Sequence, residues 1–186
     1  MLKQIFSFML KGESVTLRPV KREYIESYLK WLNDPEITQY LALYMPLTRM
    51  MEEDWIENLK NRNDTIVFAI TITDENNPEK LIGNCGLHNI DWKSRSAEVG
   101  IMIGEKEFQG KGYGTEAMEV IIRYGFEEVN LNRICLRVID YNIRAIKSYV
   151  KIGFIEEGRM RQGHFKKGEY HDMILMSILR GEWEKK

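Results

Sequence analysis

The sequence predicts an α+β fold in which one mixed, mostly antiparallel sheet is flanked by helices. Three observations carry that expectation. Residues 65–103 hold three apolar, strand-like runs split by polar turns, the pattern of an antiparallel meander. A glycine-rich loop then opens a helix–strand–helix unit, and two further runs close the chain as a hairpin. A length of 186 residues with 44% hydrophobic content suits a single domain, residues 1–186, around one core.

The elements follow in order. Val15 to Val20 alternates like a first strand, and Pro19, which cannot donate to a ladder, puts it at an edge or a strand end. Glu23 to Trp31 is helical, with Tyr24, Tyr28 and Trp31 at helical spacing, and Asn33-Asp34-Pro35 stops it. Glu36 to Met51 keeps no clean period and reads as short helices or loops, whereas Glu52 to Asn61 is helical again. Ile66 to Ile72, Leu81 to Ile90 and Ala97 to Ile103 are the meander strands, joined by turns at Asp74 to Pro78 and Asp91 to Ser94. A helix from Thr115 to Val129 buries Met118, Ile122, Phe126 and Val129 and turns Glu116, Glu119, Arg123 and Glu127 away. Arg133 to Ile139 is a strand and Asn142 to Ile152 a helix; Phe154 to Phe165 and Tyr170 to Leu179 form the hairpin.

Composition removes several function classes. Lys plus Arg number 27 against 28 for Asp plus Glu, a formal net charge of -1, so no basic excess points to nucleic acid. Cys85 and Cys135 sit in apolar strand runs and are expected as free, buried thiols, which suits a reducing cytoplasm. Residues 1–10 are apolar but lack a small-residue cleavage site, and Lys11 and Glu13 end the run. The segment reads as cover for the domain body or for a partner subunit, which admits a homodimer. No run approaches transmembrane length, so no membrane partner is expected. His88, His164 and His171 follow no metal spacing, and no metal is expected.

The strongest local signal is Gln109-Gly110-Lys111-Gly112-Tyr113-Gly114-Thr115, set directly before an amphipathic helix. Its glycines let the backbone turn sharply and gather several N–H groups, and the helix start adds unpaired N–H groups and a positive dipole end. Together these make an anion site suited to a diphosphate. A nucleoside-triphosphate loop fails, because Lys111 is followed by Gly112. A dinucleotide fingerprint is met in form by Gly112, Gly114 and Ala117, with Asp140 ending the next strand. The antiparallel strands before the loop and the short remainder after it speak against a doubly wound sheet. Gly100, inside the preceding strand, predicts a bulge that splays this strand from its neighbour. A splayed strand followed at once by a diphosphate loop describes a coenzyme A site, since pantetheine amides pair with a free strand edge.

Gln109-x-x-Gly112-x-Gly114 matches the Q/R-x-x-G-x-G/A signature of the GCN5-related N-acetyltransferases. Asp140-Tyr141-Asn142 and Ala145 to Tyr149, closed by Gly153-Phe154, resemble that family's second cofactor-contacting segment. Within the superfamily the chain is similar to the RimJ/RimL group, which acetylates protein N-termini, and to the related spermidine acetyltransferases. The resemblance implies that the fold is GNAT-like with a splayed central strand pair and that acetyl-CoA is the cosubstrate. It implies backbone contacts to pantetheine from Ile101, Met102 and Ile103. Pyrophosphate contacts fall to Gln109, Gly110, Lys111, Gly112, Tyr113, Gly114 and Thr115. Asn142 and Ser148 face the cofactor, and Tyr149 donates to the departing sulfur. Asn142 is independently a good helix cap, Gly153 a good stop, and Asn142 and Tyr149, seven apart, share a helix face.

Amine acetylation needs a neutral amine, an oxyanion donor and a leaving-group acid. Glu98 is the sequence's candidate base, and a backbone N–H near Ile101 the oxyanion donor. Neither cysteine neighbours a base, so direct transfer is expected rather than an acyl-enzyme. The expected acceptor is a peptide N-terminal amine or a small amine. Its wall is Tyr40 to Leu47, which lacks carboxylates, opposite the hairpin around His164 to Asp172. The alternatives are a polyamine acceptor and a non-catalytic coenzyme A binder.

Overall fold

The computed structural model describes residues 10–73 and 79–185. The expected covering segment at 1–9 and the turn at 74–78 lie outside the described residues. Among the described residues, seven strands form one sheet in the order β1-β2-β3-β4-β5-β7-β6. They are β1 (Val15–Pro19), β2 (Ile66–Ile72), β3 (Lys80–Asp91), β4 (Ser96–Ile103), β5 (Arg133–Ile139), β6 (Ile155–Lys166) and β7 (Glu169–Leu179). β1 lies at one edge of the sheet, where Pro19 is harmless. Every pair is antiparallel except β4–β5, which is parallel.

That parallel pair is short. It joins Ser96, Ala97 and Glu98 to Arg133, Ile134 and Cys135, and no pairing follows. Beyond it β4 stays on β3 as far as Ile103, and β5 stays on β7 as far as Ile139. The central strands therefore part while each keeps its outer neighbour. The predicted bulge at Gly100 is absent: the β3–β4 register runs unbroken through Gly86 and Gly100, and its irregularity lies between His88 and Asp91. Pairing with β5 simply stops, and that opens the gap.

Two apolar layers hold the sheet. On one side α4 (Tyr113–Glu127) buries Met118, Ile121, Ile122 and Phe126 against β-strand residues such as Ile70, Leu87 and Ile134. The first turn of α4 is tied across the fold, because Glu116 Oε1 accepts from the N–H groups of Ser14 at 2.7 Å and Val15 at 3.1 Å. On the other side α1 (Ile25–Leu32), α2 (Pro35–Thr38) and α3 (Arg49–Leu59) pack against β2 to β4. There Tyr28 meets Trp31 and Trp55 edge-on, with ring centroids 5.8 and 6.0 Å apart. Trp31 donates from Nε1 to Glu105 Oε1 at 3.0 Å, and its ring lies flat against Gly104 just past β4. α5 (Ile143–Ile152) follows β5, and a short α6 (Arg180–Trp183), which no sequence period announces, ends the described chain. Cys85 and Cys135 are free thiols, Cys85 fully enclosed in the core.

A Cβ at Gly104 would collide with the Trp31 ring. Gly104→Ala should therefore cost roughly 1–3 kcal/mol of stability, as overpacking does. Thermal unfolding checks this; an unchanged melting temperature would show that α1 moves aside freely.

Candidate active site

A cleft of about 360 Å³ opens where β4 and β5 part. Ile101, Met102 and Ile103 form its floor, the loop before α4 one end, and α5 one wall. Every expected cofactor residue lines it except Lys111 and Tyr113. Those two pack outward on Phe108, Tyr113 edge-on at 5.7 Å and Lys111 with its amine 5.7 Å from the ring centre.

The loop has the backbone geometry an anion site needs. Gly110 and Gly112 sit at φ 75° and 93°, left-handed values that L side chains adopt only under strain. Gly112 is the N-cap of α4, and no side chain accepts from the first helical N–H groups. The unpaired donors and dipole end of the helix thus point into the cleft mouth. Gln109 plays a different part from a direct contact: its Nε2 donates to the carbonyl of Ile103 at 2.8 Å, and its Oε1 accepts from Arg144 Nη2 at 3.2 Å. It locks the loop to the end of β4 and holds a cation at the mouth. Arg144 carries no sequence motif and went unpredicted; only its place in the first turn of α5 signals it.

The floor offers a strand edge. Gly104 N–H donates to Ile82 on β3, while the Ile103 carbonyl turns the other way to Gln109. Because these directions alternate along a strand, Ile101 and Ile103 aim their backbone groups into the gap. Met102 departs from expectation: its carbonyl is pressed against Gly83 of β3, and its side chain is buried in the second apolar layer.

α5 completes the site. Asn142 caps it, its Oδ1 accepting from Ala145 N–H at 3.3 Å, and Gly153 ends it at φ 102°. Ser148 Oγ lies 2.8 Å from Thr115 Oγ1, stitching α5 to α4. Tyr149 lines the cleft on the same face as Asn142. Burial pushes its phenol up to about 12, so it stays protonated, and its hydroxyl has no hydrogen-bond partner among the described residues.

Glu98 is not brought to this cleft. Both its oxygens are taken by Arg137, Nε at 2.9 Å and Nη2 at 3.0 Å, and the pair sits where β4 and β5 still run together. A carboxylate held in a bidentate fork is a poor general base. The expected acceptor wall also divides. Ile37, Tyr40 and Leu41 reach the cleft beside Glu36, whose carboxylate is paired with Lys106. Leu43 to Leu47 instead line a separate depression against Phe165, Lys166 and Lys167. Lys166 Nζ fastens the segment by donating to the carbonyls of Leu41 at 3.3 Å and Leu43 at 2.7 Å, and Tyr141 donates to Gln39 at 2.6 Å.

A family model described as an acetyltransferase (GNAT) domain matches residues 14–155. The chain belongs to the GNAT family. Among GNAT relatives, the uncharacterised N-acetyltransferase p20 of Bacillus licheniformis is 31% identical over 94% of this chain and 97% of its own. The spermidine N(1)-acetyltransferase of Vibrio cholerae is 36% identical over 70% of this chain and 75% of its own. YdaF of Bacillus subtilis, provisionally named a ribosomal N-acetyltransferase, is 45% identical, but this chain spans only 56% of its length. A solved Vibrio cholerae spermidine N-acetyltransferase in complex with CoA and spermine superposes with a TM-score of 0.86 at 28% identity, covering 93% and 99% of the two chains. GNAT enzymes use acetyl-CoA, and the features of this cleft fit it: a free strand edge, a glycine loop at a helix start, and a neutral phenol. The sheet also speaks against a dinucleotide fold, since among the described residues its only parallel pair is β4–β5.

Gly112 has open space around it, so a methyl there would meet no atom and the whole effect would be backbone strain. Gly112→Ala should weaken CoA binding by about tenfold, the equivalent of a left-handed penalty near 1–2 kcal/mol. Calorimetric titration with CoA measures it, and an unchanged Kd would remove the loop from the phosphate site.

Proposed function

We propose that this GNAT enzyme transfers the acetyl group directly to a single primary amine, either a peptide N-terminus or a small amine. The observation that carries the acceptor class is the α2 side of the cleft: Ile37, Tyr40 and Leu41 are uncharged, and the one carboxylate beside them, Glu36, is largely exposed and shares the Lys106 ammonium with Asp34. Such a wall gains little from a polycation and accommodates the uncharged flank of a single amine. The provisional ribosomal name of YdaF points the same way.

In this reading the α4 start and its loop hold the pyrophosphate, with Arg144 adding charge. Ile101 and Ile103 pair with the pantetheine amides, and an N–H of this edge stabilises the carbonyl oxygen as it gains charge. Tyr149 donates its proton to the departing sulfur. Direct transfer is supported by the thiols: burial holds Cys85 far above the ordinary thiol range, and Cys135 is likewise raised by burial, its sulfur turned to the Ala97 carbonyl.

One observation favours a polyamine instead. Glu52, in the first turn of α3, is 5% exposed; its carboxyl is raised by burial, and its carboxylate oxygens make no hydrogen bond or ion pair with a described residue. A buried carboxylate without a cation is costly and suits an incoming ammonium.

An acetyl-CoA consumption assay across peptides, small amines and polyamines should give the highest kcat/KM with a single-amine acceptor. Spermidine far ahead of every other acceptor would overturn this and favour the Glu52 reading. Tyr149→Phe should lower kcat by roughly ten- to several-hundred-fold with CoA affinity unchanged. The rate should rise with pH as the amine loses its proton, with no loss from Tyr149 until pH approaches about 12, because its raised value keeps the donor protonated below that. A basic limb near neutrality that vanishes in the Phe variant would contradict that assignment.

A further inference from the structure

The sheet makes room for one imidazole at the point where its central strands part. Gly86 on β3 and Gly100 on β4 are register partners, and the His88 ring lies over both. A Cβ at Gly86 would stand 2.8 Å from His88 Nε2, and one at Gly100 would stand 3.6 Å from Nε2 and Cδ2. Glycine weakens a strand interior, and its presence there marks a close approach. Here two glycines face each other, and the group that approaches is a side chain able to carry a proton. Neither ring nitrogen has a hydrogen-bond partner among the described residues. Gly100 adjoins Ile101, the cleft-floor residue whose backbone faces the gap. The imidazole therefore lies over the residue next to Ile101, just outside the residues that line the cleft, while Glu98, its partner in register, is committed to Arg137.

We infer that His88 is the proton acceptor of this active site, taking the proton of the attacking amine directly or through one water. The imidazole nitrogen's free pair receives the proton, and the amine lone pair forms the C–N bond to the thioester carbonyl carbon. The C–S bond then breaks, and the sulfur leaves with the proton of Tyr149. The proton on His88 and the one Tyr149 must regain balance through solvent. Burial holds His88 below the ordinary histidine value, with Glu98 on β4 pulling the other way; Arg62 and Asp64, in the segment before β2, act with opposite signs. The ring is thus neutral and able to accept at physiological pH.

The inference rests on acetyl transfer at the Tyr149 cleft, which wild-type turnover of any amine checks separately. The test is His88→Gln, assayed at saturating amine. The expected result is a fall in kcat of about 10²-fold or more with the KM for acetyl-CoA unchanged. Wild-type kcat should fall at low pH along a limb below about 6.5, because a protonated imidazole cannot accept, and the variant should lack that limb. Added imidazole should restore part of the activity of His88→Ala, which a purely structural role would not allow. A glutamine variant with wild-type kcat and the same acidic limb would overturn the assignment. Should both variants unfold, nitrogen-15 imidazole NMR of the wild-type protein decides: His88 must titrate where kcat does, and a mismatch rejects it.

Discussion

The structure depends on three residue pairs and on their stopping. Ser96–Arg133, Ala97–Ile134 and Glu98–Cys135 join the two halves of the sheet, and past them β4 and β5 go separate ways. Each strand is still clamped by an antiparallel neighbour, β3 or β7, so the gap opens without loosening the fold. A strand edge left open inside a protein carries backbone donors and acceptors that must find partners. Here they face a cleft, and a ligand that would satisfy them is an extended chain with amides of its own.

The surrounding elements orient that ligand. Gln109 ties the phosphate loop to Ile103, so the anion site and the strand edge move as one body. Glu116 ties the same helix to β1 through Ser14 and Val15, anchoring it against the far edge of the sheet. α5 is fixed at both ends by Asn142 and Gly153 and sideways by the Ser148–Thr115 contact, which holds the Tyr149 hydroxyl over the gap. In the proposed mechanism, preorganisation of this kind is what would let a neutral phenol and a few backbone groups act on a thioester without rearranging.

Much of this was legible in the sequence, because it is written in local chemistry. Ile66 to Ile72 and Arg133 to Ile139 have the expected strand bounds, and the Asn142 cap and Gly153 stop are where short-range rules put them. The glycine loop announced its helix start. What failed was long-range. Gly100 was read as a bulge because a strand glycine usually is one, whereas its neighbour in space is His88. Glu98 looked available because nothing in its own segment shows Arg137, 39 residues on, closing over both oxygens. The wall at Tyr40 to Leu47 was divided by Lys166, more than 120 residues away, reaching back to two carbonyls. Glu52 was read only as the start of a helix, since burial by a tertiary contact leaves no periodic trace.

The central claim is that the free edge of β4 receives the cosubstrate, and amide hydrogen exchange tests it most directly. Without ligand, the Ile101 and Ile103 amides should exchange quickly while Met102, turned toward β3, is protected. On adding CoA, Ile101 and Ile103 should become strongly protected and Met102 should not change. If all three are protected without ligand, or if CoA leaves Ile101 and Ile103 exchanging freely, the edge is not the cradle and the account fails.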